Sequence, residues 1–219
     1  DLPKPLLPFK GKPLIDYSIN TALKLKNIEA IALSSDSNEI LKRGDFYGIN
    51  SILRPKELAK DNSLVVEAII HAANELNDKY KYKINAVLLL QPTFPIREIQ
   101  EIEEAITLFQ ENKYSSVISA EKMKEHPCEC IEYYGHSKIN SWDYLRDPKS
   151  ITNRQEYDGE FYYINGNFYI SSLESLKSTK RFINQSSKFY LCKDKATIDI
   201  DNLNDFHYAE YILSRKIIE

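Results

Sequence analysis

The sequence predicts an α/β fold in which a mostly parallel sheet is sandwiched by helices. Over the first two-thirds of the chain, short runs of aliphatic and β-branched residues alternate with segments whose apolar residues recur at helical spacing. This alternation is typical of stacked βα units. With 219 residues, the chain is also long enough to bury the core that such a sheet needs.

The elements of the first part follow one another in a regular order. The predicted strands are residues 30–33, 51–53, 86–90 and 116–119. Apolar residues recur at helical spacing at Val65, Ile69, Ala72 and Leu76, and again at Ile99, Ile102, Ile106 and Phe109. These two patterns predict amphipathic helices between the strands.

The pattern changes near His126 and Pro127, where a Tyr-rich stretch without helical period begins. We interpret residues 124–163 as an inserted, mainly extended subdomain that lacks a core of its own. The main pattern returns at residues 168–170, and residues 196–200 predict a further strand. A closing helix carries Phe206, Ala209 and Leu213. Residues 1–123 and 164–219 therefore form one main domain.

Composition excludes several classes of function. The 29 basic and 32 acidic residues give a net charge of −3, so no basic field is available to hold a nucleic acid. No apolar run reaches the roughly 20 residues of a membrane helix. The three cysteines have no paired spacing typical of zinc sites, which favours a reducing, cytoplasmic compartment. The missing initiator Met leaves open whether Asp1 lies downstream of the natural N-terminus.

Polar residues directly follow three of the predicted strands, where ligands bind in open α/β sheets. In the run 34–37, Asp36 or Ser37 could contact a ligand or cap the next helix. Arg54 could bind a phosphate or a base edge, or form a surface salt bridge. Gln91, at the end of an apolar strand and before Pro92, could bind a ligand or complete a turn.

The strongest local signal is the run Ile198-Asp199-Ile200-Asp201. In a strand, Ile198 and Ile200 point to the core while both aspartates point to the opposite face. Neighbouring carboxylates repel each other, and Mg²⁺ bound also by substrate phosphates would offset that repulsion. Alternatively, Asp201 caps the final helix and Asp199 is solvated.

Further candidates lie after the insert begins. Arg154 has the planar fork that binds a carboxylate through both oxygens. Gly166, between Asn165 and Asn167, suits a tight turn or a close backbone approach. No Ser-His-Asp or Cys-His arrangement is recognisable, so covalent catalysis has no support.

Seven motifs in this order resemble the acylneuraminate cytidylyltransferases, the CMP-sialic acid synthetases. They are residues 11–15, 34–37, 54–58, 89–93, 154–155, 165–166 and 198–201. The resemblance covers nearly the whole chain. It implies the fold of the nucleotide-diphospho-sugar transferases, a Mg²⁺-dependent reaction, and a homodimer whose inserted arm reaches the partner's sugar site.

The resemblance also assigns expected roles to single residues. Asp199 and Asp201 would hold the metal, and Arg154 would face the acidic sugar, across the dimer. The nucleotide would be bordered by Lys4, Arg54, Ser63 and Gln91, and the sugar site would be lined by Gln91, Arg154, Gln155, Asn165 and Tyr169. The family opens with a strand and an Ala-Arg-x-x-Ser-Lys type phosphate loop, which does not occur in residues 1–219.

The predicted function is transfer of CMP from CTP to a sialic-acid-type nonulosonic acid, with release of pyrophosphate. Main-domain residues 1–123 and 164–219 would bind the nucleotide, and residues 124–163 would form the dimerisation arm. Two alternatives stay open: a CMP synthetase for legionaminic acid, pseudaminic acid or Kdo, and an inactive homologue that only binds nucleotide or a partner protein.

Overall fold

The computed structural model describes residues 2–60, 62–135, 142–148, 153–193 and 198–216, with the side chains of Arg154 and Lys216 outside the description. The helices are α1 (Leu14–Lys24), α2 (Asn38–Tyr47), α3 (Val65–Tyr80), α4 (Ile99–Glu111), α5 (Leu173–Thr179) and α6 (Leu203–Lys216). The strands are β1 (Pro8–Phe9), β2 (Lys12–Pro13), β3 (Ala32–Ser35), β4 (Asn50–Leu53), β5 (Ala86–Leu89), β6 (Ser116–Lys122), β7 (Ile131–Tyr133), β8 (Trp142–Tyr144), β9 (Tyr162–Ser172) and β10 (Ser187–Leu191).

The central sheet has four strands in the order β10-β6-β9-β5. β10 pairs parallel with β6, whereas β9 pairs antiparallel with both β6 and β5. Three strands therefore run one way and β9 alone is reversed, because the insert leaves the sheet at the end of β6 and re-enters it at the same end, at the start of the neighbouring β9. The α/β class is confirmed, with this one departure from a parallel sheet. β3 and β4 form a separate parallel pair.

Local sequence explains where two of the helices begin. The hydroxyl of Ser37 accepts a hydrogen bond from Ile40 N at 3.5 Å and caps α2, as one of the two sequence alternatives proposed. α2 ends at Gly48, which adopts the left-handed conformation. At α6, Asn202 Oδ1 accepts from Asn204 N and Asp205 N at 2.9 and 3.1 Å. The capping side chain is thus Asn202, and the alternative that Asp201 caps this helix is wrong.

Two buried apolar clusters flank the site described below. One lies against the central sheet and contains Ile102, Val117 and Phe168, all fully buried. The second contains Ile200 and Phe9, with Ile198 packed against it, so it anchors residues 198–201 to the body of the domain. Both clusters remove large aliphatic and aromatic surfaces from water.

The insert has little buried apolar surface. β7 and β8 form an antiparallel hairpin whose side chains are exposed, including Ile131 and Trp142. Residues 126–130 pack more closely, with Pro127 and Cys128 buried. Among the described residues, no helix combines the length and the apolar character that crossing a membrane requires.

Candidate active site

Gln91, Gly166 and Asp199 come from separate parts of the chain and meet beyond the end of β5. A Cβ atom placed on Gly166 would lie 3.2 Å from Asp199 Oδ2 and 4.0 Å from Gln91 Oε1. Gly166 also has a φ of +79°, which disfavours other residues. Glycine therefore leaves the space in which the amide and the carboxylate approach the same point of β9.

An irregularity in the pairing of β6 with β9 produces the backbone at Gly166. The register shifts between Ile118 and Ala120. Within the shift, the hydroxyl of Ser119 accepts a hydrogen bond from Phe168 N and donates one to Phe168 O, both at 3.0 Å. Such bulges re-aim side chains and occur often beside active sites. Here the bulge directs the face of β9 that carries Gly166 towards Asp199.

Asp199 is held by its neighbours, while one of its oxygens has no partner within the described part of the chain. Ile200 N donates a hydrogen bond to Thr93 O at 2.8 Å, and the Ile200 side chain is only 2% exposed. These contacts fix the partly buried Asp199 beside the turn that follows β5. Among the residues that the structure describes, the buried Asp199 Oδ1 has no hydrogen-bond partner. A buried oxygen of this kind is costly unless a cation or a donor satisfies it, which indicates a ligand position.

The predicted strand 196–200 needs a correction. Residues 198–200 do not form a strand; their backbone is held by the hydrogen bond from Ile200 N to Thr93 O. Residues 196–197 lie outside the described residues. The predicted alternation nevertheless holds for Ile198 and Ile200, which both pack on the core. The two aspartates differ: Asp199 is partly buried, whereas the Asp201 side chain is 81% exposed.

Lys4 lies near the second aspartate of this run, with Lys4 Nζ 3.9 Å from Asp201 Oδ1. The structure thus brings one predicted nucleotide-binding residue to a predicted metal ligand. Arg54 spans the ends of β3 and β4, since its Nη2 donates to Ser34 O at 2.8 Å. Ser63 closes its own loop by donating to Glu57 O at 3.1 Å. These contacts of Arg54 and Ser63 are local, so the part of both residues in nucleotide binding stays a prediction.

Of the residues predicted to line a sugar site, Tyr169 is near Asp199. Burial raises the pKa of the Tyr169 phenol, and the negative charge of Asp199 raises it further. The phenol is therefore neutral at pH 7 and can act as a donor. Asn165 is only 6% exposed, and its amide accepts from Asn167 N at 3.2 Å and donates to Glu121 Oε2 at 3.4 Å. These two hydrogen bonds stabilise the backbone of the bulge around Gly166.

Arg154 and Gln155 belong to a short 3₁₀ helix of the insert, Arg154–Glu156. Gln155 is exposed, and the Arg154 side chain lies outside the described part of the chain. The turn that follows is anchored by His126, whose ring stacks on Tyr157 with centroids 4.7 Å apart. That these two residues line a sugar site, in this subunit or across a dimer, stays a prediction.

Arg97 is a site-forming residue that the sequence did not reveal. Its guanidinium donates to Gln91 O at 2.7 Å, to Asn167 O at 2.8 Å and to Ser18 Oγ at 2.9 Å. Ser18 in turn donates to Gln91 O at 3.0 Å. The only local signal is a charged residue within an apolar, Pro-rich turn, residues 91–97.

A family model described as cytidylyltransferase matches residues 2–139, more than half of the chain. The chain belongs to the cytidylyltransferase family. Among curated relatives, an N-acylneuraminate cytidylyltransferase from Escherichia coli is 30% identical over 94% of this chain. The present chain spans about half of that relative, 47% of its length. A CMP-N,N'-diacetyllegionaminic acid synthase from Legionella pneumophila is also 30% identical, over 93% of this chain and 86% of its own.

Solved structures show the same fold for this family member. A CMP-2-keto-3-deoxy-manno-octonic acid synthetase in complex with CTP aligns with a TM-score of 0.69, at 12% identity, over 97% of this chain and 92% of that one. A 4-diphosphocytidyl-2C-methyl-D-erythritol synthase aligns with a TM-score of 0.65, at 9% identity, over 96% and 95% of the two chains. The predicted fold type and the resemblance to cytidylyltransferases are confirmed.

Proposed function

We propose that this cytidylyltransferase couples CTP to a sialic-acid-type nonulosonic acid. The observation that carries the proposal is the convergence of Gln91, Gly166 and Asp199 in a family member whose relatives include an N-acylneuraminate cytidylyltransferase. The anomeric oxygen of the sugar forms a bond to the α-phosphorus of CTP. The bond from that phosphorus to the bridging oxygen breaks, pyrophosphate leaves, and the hydroxyl proton is released. CMP-sugar is the other product.

The donor set near Asp199 fits Mg²⁺, the cofactor that we propose. Mg²⁺ keeps several waters and uses one or two carboxylates together with substrate phosphates. Asp199 offers a buried oxygen that has no partner in the described ranges, and exposed Asp201 follows two residues later. The described residues contain no cluster of three or more acidic, His or Cys side chains, so a cage made by protein alone is not formed there. A bound Mg²⁺ would neutralise phosphate charge as pyrophosphate departs.

The chain's own residues would bind and orient the substrates. Lys4, beside Asp201, would place a positive charge near the triphosphate. Gln91 would donate from its amide to a sugar or nucleotide hydroxyl, and Tyr169 from its neutral phenol. Arg154 would bind the sugar carboxylate through both nitrogens of its fork. Positioning of this kind and neutralisation of charge supply most of the acceleration in phosphoryl transfer.

We further propose that two copies of the chain form a homodimer through the insert. β7, β8 and the following residue expose the apolar side chains Ile131, Tyr133, Trp142, Tyr144 and Leu145 by 43 to 60%. Contiguous apolar surface of this kind marks an interaction site. Arg146, just after β8, donates to Asp158 O at 3.1 Å, which ties the hairpin to the chain shortly after Arg154. A second subunit that covers the hairpin would therefore come close to this part of the insert.

One specific observation favours a second candidate sugar. The relative from Legionella pneumophila matches at the same identity as the Escherichia coli relative, but over 86% of its own length. Legionaminic acid is therefore the alternative substrate. Pseudaminic acid is a weaker one, since the relative from Campylobacter jejuni described as a pseudaminic acid cytidylyltransferase is 26% identical.

The test is a substrate panel on the full-length protein. CTP and Mg²⁺ are supplied with N-acetylneuraminate, N,N'-diacetyllegionaminate, pseudaminate or Kdo, while pyrophosphate release and CMP-sugar are both measured. We expect both products with one nonulosonic acid and neither product without sugar. Binding of CTP without turnover on any of the four sugars would identify an inactive nucleotide-binding homologue instead.

A further inference from the structure

Asp158 O, in the turn after the short helix that contains Arg154, is an acceptor shared by two side chains. His126 Nε2 lies 3.2 Å from this oxygen, and Arg146 Nη1 donates to it at 3.1 Å. The two side chains are 32 and 12 residues away along the chain. A carbonyl oxygen has two lone pairs, so it can accept both bonds. The start of the insert, the end of its hairpin and the turn after Arg154 therefore meet at one backbone oxygen.

The partners of His126 define which of its nitrogens carries a hydrogen. A carbonyl oxygen only accepts, so Nε2 must donate in the bond to Asp158 O. Nδ1 accepts a hydrogen bond from Cys128 N at 3.1 Å and therefore carries no hydrogen. One neutral tautomer meets both requirements. One nitrogen thus caps the turn that begins at Pro127, and the other bonds across the insert.

Aromatic packing holds the imidazole ring in this orientation. The ring stacks on Tyr157, with planes 23° apart, and meets Phe161 edge-on, with centroids 4.7 Å apart in both pairs. Gly159 lies between these two aromatic residues and has a φ of +92°. A Cβ atom at Gly159 would lie 3.3 Å from Phe161 Cε2. Glycine therefore lets the chain turn tightly between the two aromatic neighbours of the ring.

Burial contributes little to holding the segment that follows Arg154. Gln155 and Asp158 are both exposed. The other side of the contact is better anchored, because Met123 N, just after β6, donates to Phe161 O at 2.8 Å, just before β9. The base of the insert is thus tied to the sheet on both sides. We call the bond from His126 Nε2 to Asp158 O, together with the ring stack on Tyr157, the His126 clasp.

We propose that His126 is a positioning residue for the sugar site. The clasp fixes the segment after the insert's hairpin before any sugar binds, and Arg154 and Gln155 belong to that segment. Fixing a binding segment in advance lowers the entropic cost of binding. The effect on sugar binding rests on the proposed function, whereas the effect of the clasp on the segment does not.

Two substitutions separate the clasp from the local cap. In His126→Asn the amide oxygen can still accept from Cys128 N, but the side chain is too short to reach Asp158 O. In His126→Gln the amide nitrogen can replace Nε2 as the donor to Asp158 O, while the cap is lost. Both variants are therefore altered at the same position, and only one keeps the bond across the insert.

Trypsin cleavage of the Arg154–Gln155 bond tests the clasp on the full chain without CTP or sugar, because cleavage requires the segment to open. We expect the initial rate to rise about 10-fold or more in His126→Asn and at most about threefold in His126→Gln. Cleavage after Arg181, an exposed residue after α5, is the internal control and should be unchanged. Equal rates at Arg154 in wild type and His126→Asn would overturn the clasp.

Steady-state kinetics test the link to the sugar. With the nonulosonic acid that the wild type accepts, His126→Asn should raise KM for the sugar about 10-fold and leave KM for CTP within about threefold. His126→Gln should change both by at most about threefold. Equal rises in the two variants would mean that His126 acts only through the cap of its own turn, and would overturn the positioning role. An inactive wild type with faster cleavage in His126→Asn would refute the proposed function and support the clasp.

Discussion

Functional groups are positioned in different ways at the edge of the sheet around Asp199 and in the insert around Trp142. At the sheet edge, contacts within one chain hold the backbone beside Asp199 and at Gln91: Ile200 N donates to Thr93 O, and Arg97 donates to Gln91 O. In the insert, Trp142 is 43% and Ile131 55% exposed. The first region is preorganised by its own fold. The second has apolar surface that a further subunit would have to cover.

The largest expected effect comes from substituting Asp199 in the preorganised region. Asp199→Asn should lower kcat by on the order of 100- to 1000-fold or more and raise the Mg²⁺ requirement, because the free carboxylate oxygen is lost. Asp201→Asn should act in the same direction. Steady-state rates against Mg²⁺ concentration measure both.

Asp205→Asn is the control for these variants, since Asp205 Oδ2 accepts from Asp201 N and Asn202 N at 2.9 and 3.0 Å at the start of α6. It should lower Tm, and it should lower activity much less than Asp199→Asn does. Full activity of Asp199→Asn would mean that the unpartnered oxygen has no part in metal binding.

Arg154→Lys should have the next largest effect, and it tests whether the insert takes part in sugar binding. A paired guanidinium–carboxylate contact contributes on the order of 2–4 kcal/mol, and Lys lacks the fork. The kcat/KM for the sugar should fall by roughly 10- to 1000-fold, with KM for CTP nearly unchanged. Arg181→Lys, on an exposed residue after α5, serves as the control. Equal losses towards CTP and sugar would place Arg154 at the triphosphate.

Assembly is expected to depend on the insert and not on other exposed aromatic residues. Trp142→Ser should weaken the dimer by about 10- to 100-fold in Kd, as removal of a central aromatic contact does. Phe46→Ser, on an α2 side chain that is 70% exposed, should leave the dimer unchanged. Sedimentation velocity over a range of protein concentrations measures both. A wild type that is monomeric at tens of micromolar would contradict the proposed dimer. Arg154 could then not act across an interface.

The smallest expected effect is a difference in thiol reactivity between Cys192 of the main domain and Cys130 of the insert. Burial, followed by the charge of Glu101, raises the pKa of the Cys192 thiol to about 11. With less thiolate at pH 8, Cys192 should react with a disulfide reagent on the order of 100-fold more slowly than an exposed thiol. The partly exposed Cys130 of the insert should react faster than Cys192. Its rate should fall as the protein concentration is raised and the dimer forms. Cys192→Ser and Cys130→Ser assign the phases, and a fast phase lost in Cys192→Ser would contradict the buried environment.

The raised pKa of Cys192 also has a consequence for stability. The folded state keeps the thiol protonated where the unfolded chain, with an ordinary thiol near 9, would release the proton. The unfolded state is therefore favoured progressively as pH rises from about 9 to about 11. Below that window Cys192 makes no difference to the pH dependence. Cys192→Ser should flatten this part of a Tm profile.

The strongly periodic segments were predictable from the sequence. The helical spacing after Val65 and Ile99 marked the starts of α3 and α4, and the aliphatic runs marked β4, β5 and β6. β3 lies two residues later than predicted, at Ala32–Ser35. α1, α5 and β10 were missed: α1 starts directly after Pro13 without a side-chain cap, α5 has only seven residues, and β10 has no clear apolar alternation.

The candidate site was predictable only in part. Gln91, Gly166 and Asp199 stood in recognisable local motifs at strand ends or turns, and the structure brings all three together. Arg97 could not be found in this way, because its partners Ser18 and Asn167 are separated from it by 79 and 70 residues. Contacts of that range depend on how strands and helices pack, and no local pattern encodes them.

The most direct test of the central claim is the turnover of Gly166→Ala compared with Gly48→Ala. Both glycines have positive φ, +79° and +67°, so both substitutions strain the backbone. Only at Gly166 would the new methyl group meet Asp199 Oδ2, at 3.2 Å, whereas nothing lies within 4 Å at Gly48. We predict similar losses in Tm, but a kcat that is about 10- to 100-fold lower in Gly166→Ala alone, since small displacements at a reacting centre are costly. Equal kcat values in the two folded variants would contradict a reacting centre at Gln91, Gly166 and Asp199.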